Sequence, residues 1–297
     1  MSDSDKRKGC GCSMFAGFVL MLLGAALLAV VAFYLGRHGS YVEFGPGVGV
    51  LEVYGEIADE RPVLDQLEQL TDNPDTKAIV VRVDSPGGVI TVVEEIYNAL
   101  QRAKRDGVPV VASMGATSAS GGYFVCLAAD RIFANQSSLT GSIGVLVEFS
   151  SARDLLEKLG IKFETVASGE FKALGSIAEP LTDRERELMQ NVINDFQGFF
   201  VETVSTSRRM GTDQVRAIAD GRVFTGRQAL EAGLVDELGD LDAAVHYAAN
   251  LAGLSGEPRV IRAVGPSISL WGFLDRVSTN AAAKIQRHLA APKFLMR

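Results

Sequence analysis

Two clusters of small residues have the makings of an acyl-transfer site. The first, Met114-Gly115-Ala116-Thr117-Ser118-Ala119-Ser120-Gly121-Gly122-Tyr123, sets hydroxyls ahead of paired glycines. A serine at a helix N-terminus followed by glycines is oriented by the turn and lies beside unpaired N–H donors able to stabilise negative charge. Ser120 suits a nucleophile; Ser118 is equally available on chemistry alone, and a serine at such a position often does no more than cap the helix. The second cluster is Asp84-Ser85-Pro86-Gly87-Gly88. Paired glycines let backbone N–H groups turn toward a bound oxygen, the requirement of an oxyanion hole, although most Pro-Gly-Gly turns only reverse the chain.

A serine hydroxyl needs a base. The three histidines are poorly placed for one: His38 abuts a long apolar run, His246 sits in an amphipathic stretch and His288 is near the C-terminus. Lysine can serve where burial disfavours its ammonium form. Bringing a lysine from about 10.4 down to 7 or 8 imposes roughly 4 kcal/mol on the charged form, which requires a closed, apolar setting. Lys172, in Ser168-Gly169-Glu170-Phe171-Lys172-Ala173-Leu174-Gly175, lies in a turn that runs into apolar residues. Lysines in turns are more often solvated.

Both clusters follow stretches that read as buried strands, where open α/β folds place their sites. Val48 to Tyr54 predicts a strand, Pro62 to Leu70 a helix ended by Asn73-Pro74, and Lys77 to Val83 a β-branched strand buried on both faces. A helix over Thr91 to Arg105 and a strand over Val108 to Ser113 complete a βαβ unit. Further on, a helix is expected from near Ser120, strands at Arg131 to Ala134 and Ile143 to Phe149, and another helix and strand within Ala152 to Val166. Thr182-Asp183 caps a helix reaching Arg209, whose apolar positions Leu188, Val192, Phe196, Phe199 and Val204 form a stripe for a core or a subunit contact. The architecture expected is a stacked α/β fold.

The 297 residues, with a net charge of −7, allow one catalytic core plus an anchor and lack the basic footprint of a nucleic-acid binder. Residues 14–35 are almost entirely apolar, long enough at about 1.5 Å per residue to cross roughly 30 Å of hydrocarbon. This exceeds the apolar core of a signal peptide, although Ala25, Ala26, Ala29 and Ala32 offer small residues for cleavage. Lys6, Arg7 and Lys8 precede the run and Arg37 alone follows closely, which places the N-terminus in the cytoplasm and the remainder across an inner membrane. The expected organisation is a cytoplasmic tail (1–13), a transmembrane helix (14–35), a linker (36–47), a catalytic domain (48–265) and a C-terminal tail (266–297). That tail suits a membrane surface, a neighbouring subunit or loose order. Only Cys126 lies beyond the anchor, so the outer domain has no internal disulfide; Cys10 and Cys12 suit lipidation, metal binding or neither.

Taken in order, Asp84 to Gly88, Met114 to Tyr123, Ser168 to Lys172, and Gly221-Arg-Val-Phe-Thr-Gly226 through Gly233-Leu-Val-Asp236 resemble the signal peptide peptidase A family, over about Val48 to Leu254. The family has a Clp protease/crotonase-like fold, a stacked ββα superhelix. The resemblance implies Ser120 as nucleophile, Lys172 as general base and Ser142, in Thr140-Gly141-Ser142-Ile143-Gly144, as the group that orients the lysine. It implies Gly87 and Gly121 N–H groups as the oxyanion hole, no metal or organic cofactor, and hydrophobic peptides such as cleaved signal peptides as substrates. In the short, single-repeat form it also implies a homo-oligomeric ring with inward-facing centres, open to a base from an adjacent subunit. Ile177 and Glu179 stand where the family tends to carry a Pro and an Arg, which bears on the pocket more than on the dyad. A crotonase-like acyl-CoA enzyme and a non-enzymatic membrane scaffold are the competing readings.

Overall fold

The computed structural model describes residues 45–263 together with Met21, Gly24, Leu295 and Met296. The cytoplasmic tail, the expected transmembrane helix apart from Met21 and Gly24, and nearly all of the C-terminal tail lie outside the described residues. Among those described, no helix is long and apolar enough to cross a membrane.

The elements run β1 (Gly47–Tyr54), α1 (Arg61–Asp72), β2 (Thr76–Ser85), β3 (Gly88–Val89), α2 (Ile90–Arg105), β4 (Val110–Ala119), α3 (Gly121–Cys126), β5 (Arg131–Ala134) and β6 (Leu139–Gly141). There follow α4 (Arg153–Lys158), α5 (Asp183–Arg208), α6 (Thr212–Arg216), β7 (Val223–Thr225), α7 (Gly226–Glu231), β8 (Glu237–Leu238), α8 (Leu241–Leu251), β9 (Val260–Arg262) and β10 (Leu295–Met296).

Strands β1, β2 and β4 are parallel neighbours, and β9 extends the sheet beside β1. The far edge of β4 is shared: β5 pairs with Val111 to Met114, while β6 pairs with Thr117 to Ala119. Antiparallel β7 on β6 makes the sheet mixed. Successive side chains of a strand face opposite sides, so a strand covered on both sides reads as a continuous apolar run. In β2, Ile79, Val81 and Val83 enter one core, while Ala78 and Val80 meet Val48, Val50, Val111 and Phe133 beneath the Ala244, Val245, Ala248 and Ala249 face of α8. Each such large side chain contributes about 1.5–3 kcal/mol by burial.

Helix α1 buries Val63, Leu67 and Leu70, and α2 buries Ile90, Val93, Ile96, Leu100 and Ala103, at the three- and four-residue steps of one helical face. At the head of α5, Glu185 N–H donates to Thr182 Oγ1 (3.2 Å) and Thr182 N–H donates to Glu185 Oε2 (2.9 Å), a reciprocal cap.

Three expectations are corrected. Strand β4 continues past the expected end at Ser113 to Ala119, so it runs directly up to Ser120. Residues 143–149 form no strand beyond a bridge at Leu146, and 152–166 hold only the short α4; Leu155, Leu159, Ile161, Phe163 and Val166 are exposed among the described residues. In α5 the buried residues are Met189, Phe200, Val201, Thr203 and Val204, whereas Leu188 and Phe199 remain partly solvent-facing.

Candidate active site

Strand β4 delivers Ser120 to the head of α3. Its φ of 52° and ψ of −116° are a conformation that non-glycine residues rarely adopt, at a cost of about 1–3 kcal/mol. The surroundings hold it there: Ser120 N–H donates to Gly141 O (2.7 Å), and Ser120 O accepts from Phe124 N–H (2.9 Å). The side chain is fully buried, makes no cap to the helix, and its Oγ has no hydrogen-bond partner among the described residues. Ser118, also fully buried, is different, because its Oγ donates to Val83 O at 2.6 Å and so ties β4 to β2.

The Asp84 to Gly88 turn packs against the residue that follows Ser120. A Cβ on Gly121 would fall 2.7 Å from Val93 Cγ2, 3.1 Å from Gly88 N and 3.2 Å from Gly87 Cα. No side chain fits at 121, and the absence of one brings the two backbones together. Within the turn, Gly87 adopts a φ of +108° and donates its N–H to Ser85 Oγ at 3.0 Å. The sequence motif contained Ser85 but assigned it no task.

Ser142 is placed by a second turn. Its φ is 49° and its N–H donates to Arg222 O (2.8 Å), while Gly221 N–H donates to Ile143 O (3.2 Å). The Arg222 guanidinium is bound back onto Asp220 (2.6 Å), and these hydrogen bonds hold the Asp220 carboxyl down at about 2. Asp220 and Arg222 were not singled out in the sequence; the Gly221 to Gly226 motif was their only signal. Thr140 Oγ1 donates to Ser118 O (2.7 Å), joining the Ser142 strand to the Ser120 strand.

Lys172 is exposed, on a turn in which its N–H donates to Gly169 O (3.1 Å). Arg184, in the first turn of α5, steadies that turn by pairing with Glu170 (2.7 Å) and lying over the Phe171 ring (5.6 Å). Within one chain the lysine therefore does not hydrogen-bond the Ser120 hydroxyl. A cavity of about 700 Å³ between α2, α5 and α6 touches Ile90, Glu94, Phe199 and Arg216 but neither Ser120 nor Lys172. Among the described residues no group of His, Cys, Asp and Glu side chains is arranged to hold a metal ion.

Comparison with known proteins identifies the family. The model for peptidase family S49 matches residues 102–255, and the model for Clp protease matches residues 50–140. A Synechocystis protein that carries a protease name is 41% identical over 206 residues, 69% of this chain and 74% of the relative. An Enterococcus faecium protein that carries the name signal peptide peptidase SppA is 36% identical over 184 residues, 62% of this chain and 54% of the relative. The chloroplastic serine protease SPPA of Arabidopsis thaliana is 31% identical over 235 residues, 78% of this chain and 35% of the relative. With the family model covering more than half of its length and a Clp protease-like α/β fold beneath it, the chain belongs to peptidase family S49, the signal peptide peptidase A family of serine proteases.

Proposed function

We propose that this protein is a membrane-anchored serine endopeptidase that hydrolyses hydrophobic peptides, such as cleaved signal peptides, outside the cytoplasm. The observation that carries the reading is Ser120: a wholly buried hydroxyl without a partner among the described residues, held in a strained turn beside two glycine backbones. Ser120 Oγ attacks the peptide carbonyl carbon while its proton passes to the Lys172 amine. The carbonyl electron pair moves onto oxygen and is met by backbone N–H groups of Gly121 and of the Gly87–Gly88 turn. Collapse breaks the C–N bond, the leaving amine takes the proton from Lys172, and water repeats the sequence on the acyl-enzyme. Because Gly87 N–H is engaged by Ser85, we assign the turn's donor to Gly88, one residue later than the motif suggested.

An extended peptide has a place to lie. Leu295 and Met296 pair antiparallel with Val89 and Gly88, so the backbone edge beside Gly121 accepts a strand. Lys172 stands exposed at the end of a loosely packed segment, and the proposed assembly is a homo-oligomeric ring in which one subunit's lysine serves its neighbour's serine. The 14–35 segment anchors the ring, with Ser142 orienting the lysine.

The test is a fluorogenic hydrophobic peptide offered to the membrane-inserted protein. Ser120→Ala and Lys172→Ala each abolish hydrolysis with oligomer size unchanged, and a fluorophosphonate labels Ser120 in the unmodified protein. Labelling at Ser118, or full activity in both variants, sinks the reading.

A further inference from the structure

We infer that Ser85 is a positioning residue for the oxyanion hole, its hydroxyl fixing the Gly87 N–H so that the Gly88 N–H is the one turned toward Ser120. The inference rests on the reading of Ser120 as nucleophile and adds a specific device to it. Ser85 ends β2, is fully buried, and pairs in register with Ser118, two residues before the nucleophile. Its Oγ accepts from Gly87 N–H at 3.0 Å and lies 3.5 Å from Gly87 O. Pro86 has no N–H, so Gly87 carries the first donor after the strand, and a serine two residues earlier closes a tight side-chain turn upon it.

The remaining bonds of the turn fix what lies beyond. Gly87 O accepts from Ile57 N–H (2.9 Å), and Val89 N–H donates to Ile57 O (2.8 Å). Gly87 O thus faces Ile57, and because the carbonyl and N–H of one trans peptide point opposite ways, the Gly88 N–H faces the other side. That is the side of Gly121, whose absent Cβ would sit 3.1 Å from Gly88 N. Without an acceptor at position 85, the buried Gly87 N–H loses its partner. The Pro86–Gly87 peptide is then free to rotate, and through the backbone torsions of Gly87 it tilts the next peptide, whose N–H is the Gly88 donor and which is left with the Ile57 bonds alone to hold it. Negative charge appears on the substrate oxygen only as the tetrahedral species forms, so the loss falls on turnover rather than on binding.

The experiment uses the full-length protein in its membrane, a hydrophobic tripeptide aldehyde, which adds the serine and develops an oxyanion, and the matching tripeptide alcohol, which does not. Ser85→Ala and the isosteric but weakly accepting Ser85→Cys lower kcat and the aldehyde-over-alcohol preference about tenfold or more, with KM and alcohol affinity unmoved. Ser85→Thr, which keeps the hydroxyl, restores most of both. Should Ser85→Ala fail to fold, the Cys variant carries the comparison. If Ala and Cys variants keep the unmodified protein's preference, or lose KM and kcat together without rescue by Thr, Ser85 has no positioning role. If the unmodified protein shows no preference for the aldehyde, the nucleophile assignment itself falls, and this inference with it.

Discussion

Ser118 and Ser120 stand two residues apart, both sealed from solvent, and spend their hydroxyls differently. The Ser118 hydroxyl is consumed by Val83 O at 2.6 Å; the Ser120 hydroxyl has no partner among the described residues. An unpaired buried hydroxyl costs stability, and a paired one returns about 1 kcal/mol. Ser118→Ala therefore lowers the unfolding free energy by about 1 kcal/mol and leaves peptide hydrolysis per folded molecule intact, whereas Ser120→Ala abolishes hydrolysis and melts no lower than the unmodified protein. Parallel thermal melts and peptide assays separate the two; a Ser120→Ala protein that melts several degrees lower contradicts the account. Two other buried groups act on the alkaline side. Burial pushes the Cys126 thiol up to about 12 and raises the neighbouring Tyr123 phenol as well, the latter donating to Leu234 O (2.9 Å). Both acids hold their protons more tightly when folded, so their contribution is fully present below the unfolded thiol value, near 8.5, and is lost as pH rises above it. Unfolding free energy should fall steadily above about pH 9, and Cys126→Ala should flatten the first part of that fall; equal slopes in denaturant titrations of the two proteins would exclude it.

The elements were legible where packing is two-sided and local. The run Ala78 to Val81 is apolar because both sheet faces are covered, and Thr182 with Glu185 announces the start of α5. Legibility failed where partners are distant or missing. The strand expected to end at Ser113 runs on through the small residues Met114 to Ala119, where Gly115 is excluded from bearing a side chain by Asp84 at 2.7 Å and Ser118 pairs with Ser85. Ala152 to Val166 read as a helix and a strand; the short α4 forms but the strand does not, and its apolar residues stay exposed. At the site, the glycines and serines were readable as motifs, while the bracing of Ser142 by Arg222 depends on a turn 80 residues away. The Gly233 to Asp236 motif also acquires a physical reason at this scale. Asp236 accepts from Arg208 Nη2 (2.7 Å) and from Ile132 N–H (2.8 Å), linking α5, β5 and the approach to β8. Burial pulls the Asp236 carboxyl upward, but the Arg208 bonds outweigh it and the net shift is downward. Replacing Arg208 by Met strands a largely buried carboxylate and should cost about 2–3 kcal/mol; the double variant Arg208→Met with Asp236→Leu should recover part of it. Urea unfolding of the three variants measures this, and a double variant weaker than the sum of the singles would show that the pair is not a unit.

At the scale of the molecule, the chain leaves its proposed base and much apolar surface outside the core. Leu155, Leu159, Ile161, Phe163 and Val166 are 47% to 95% exposed, on the segment that leads to Lys172. Contiguous exposed apolar side chains of this kind mark a surface that associates. On the proposed reading that surface seats a second copy, and the lysine it carries enters the neighbour's site, where burial against the Ser120 pocket supplies the dry setting that a neutral amine needs. The consequence is a complementation that no intrachain dyad allows. Ser120→Ala subunits keep the lysine and Lys172→Ala subunits keep the serine, so each is inactive alone. Co-assembled at equal amounts in a ring with one kind of interface, about a quarter of the serine-to-lysine pairings bring together an intact serine and an intact lysine. The mixed assembly, isolated through different tags on the two variants, should hydrolyse peptide at about a quarter of the unmodified rate. Mixed assemblies that contain both variants and remain inactive would place serine and lysine in the same chain, requiring the Lys172 turn to fold inward onto its own Ser120.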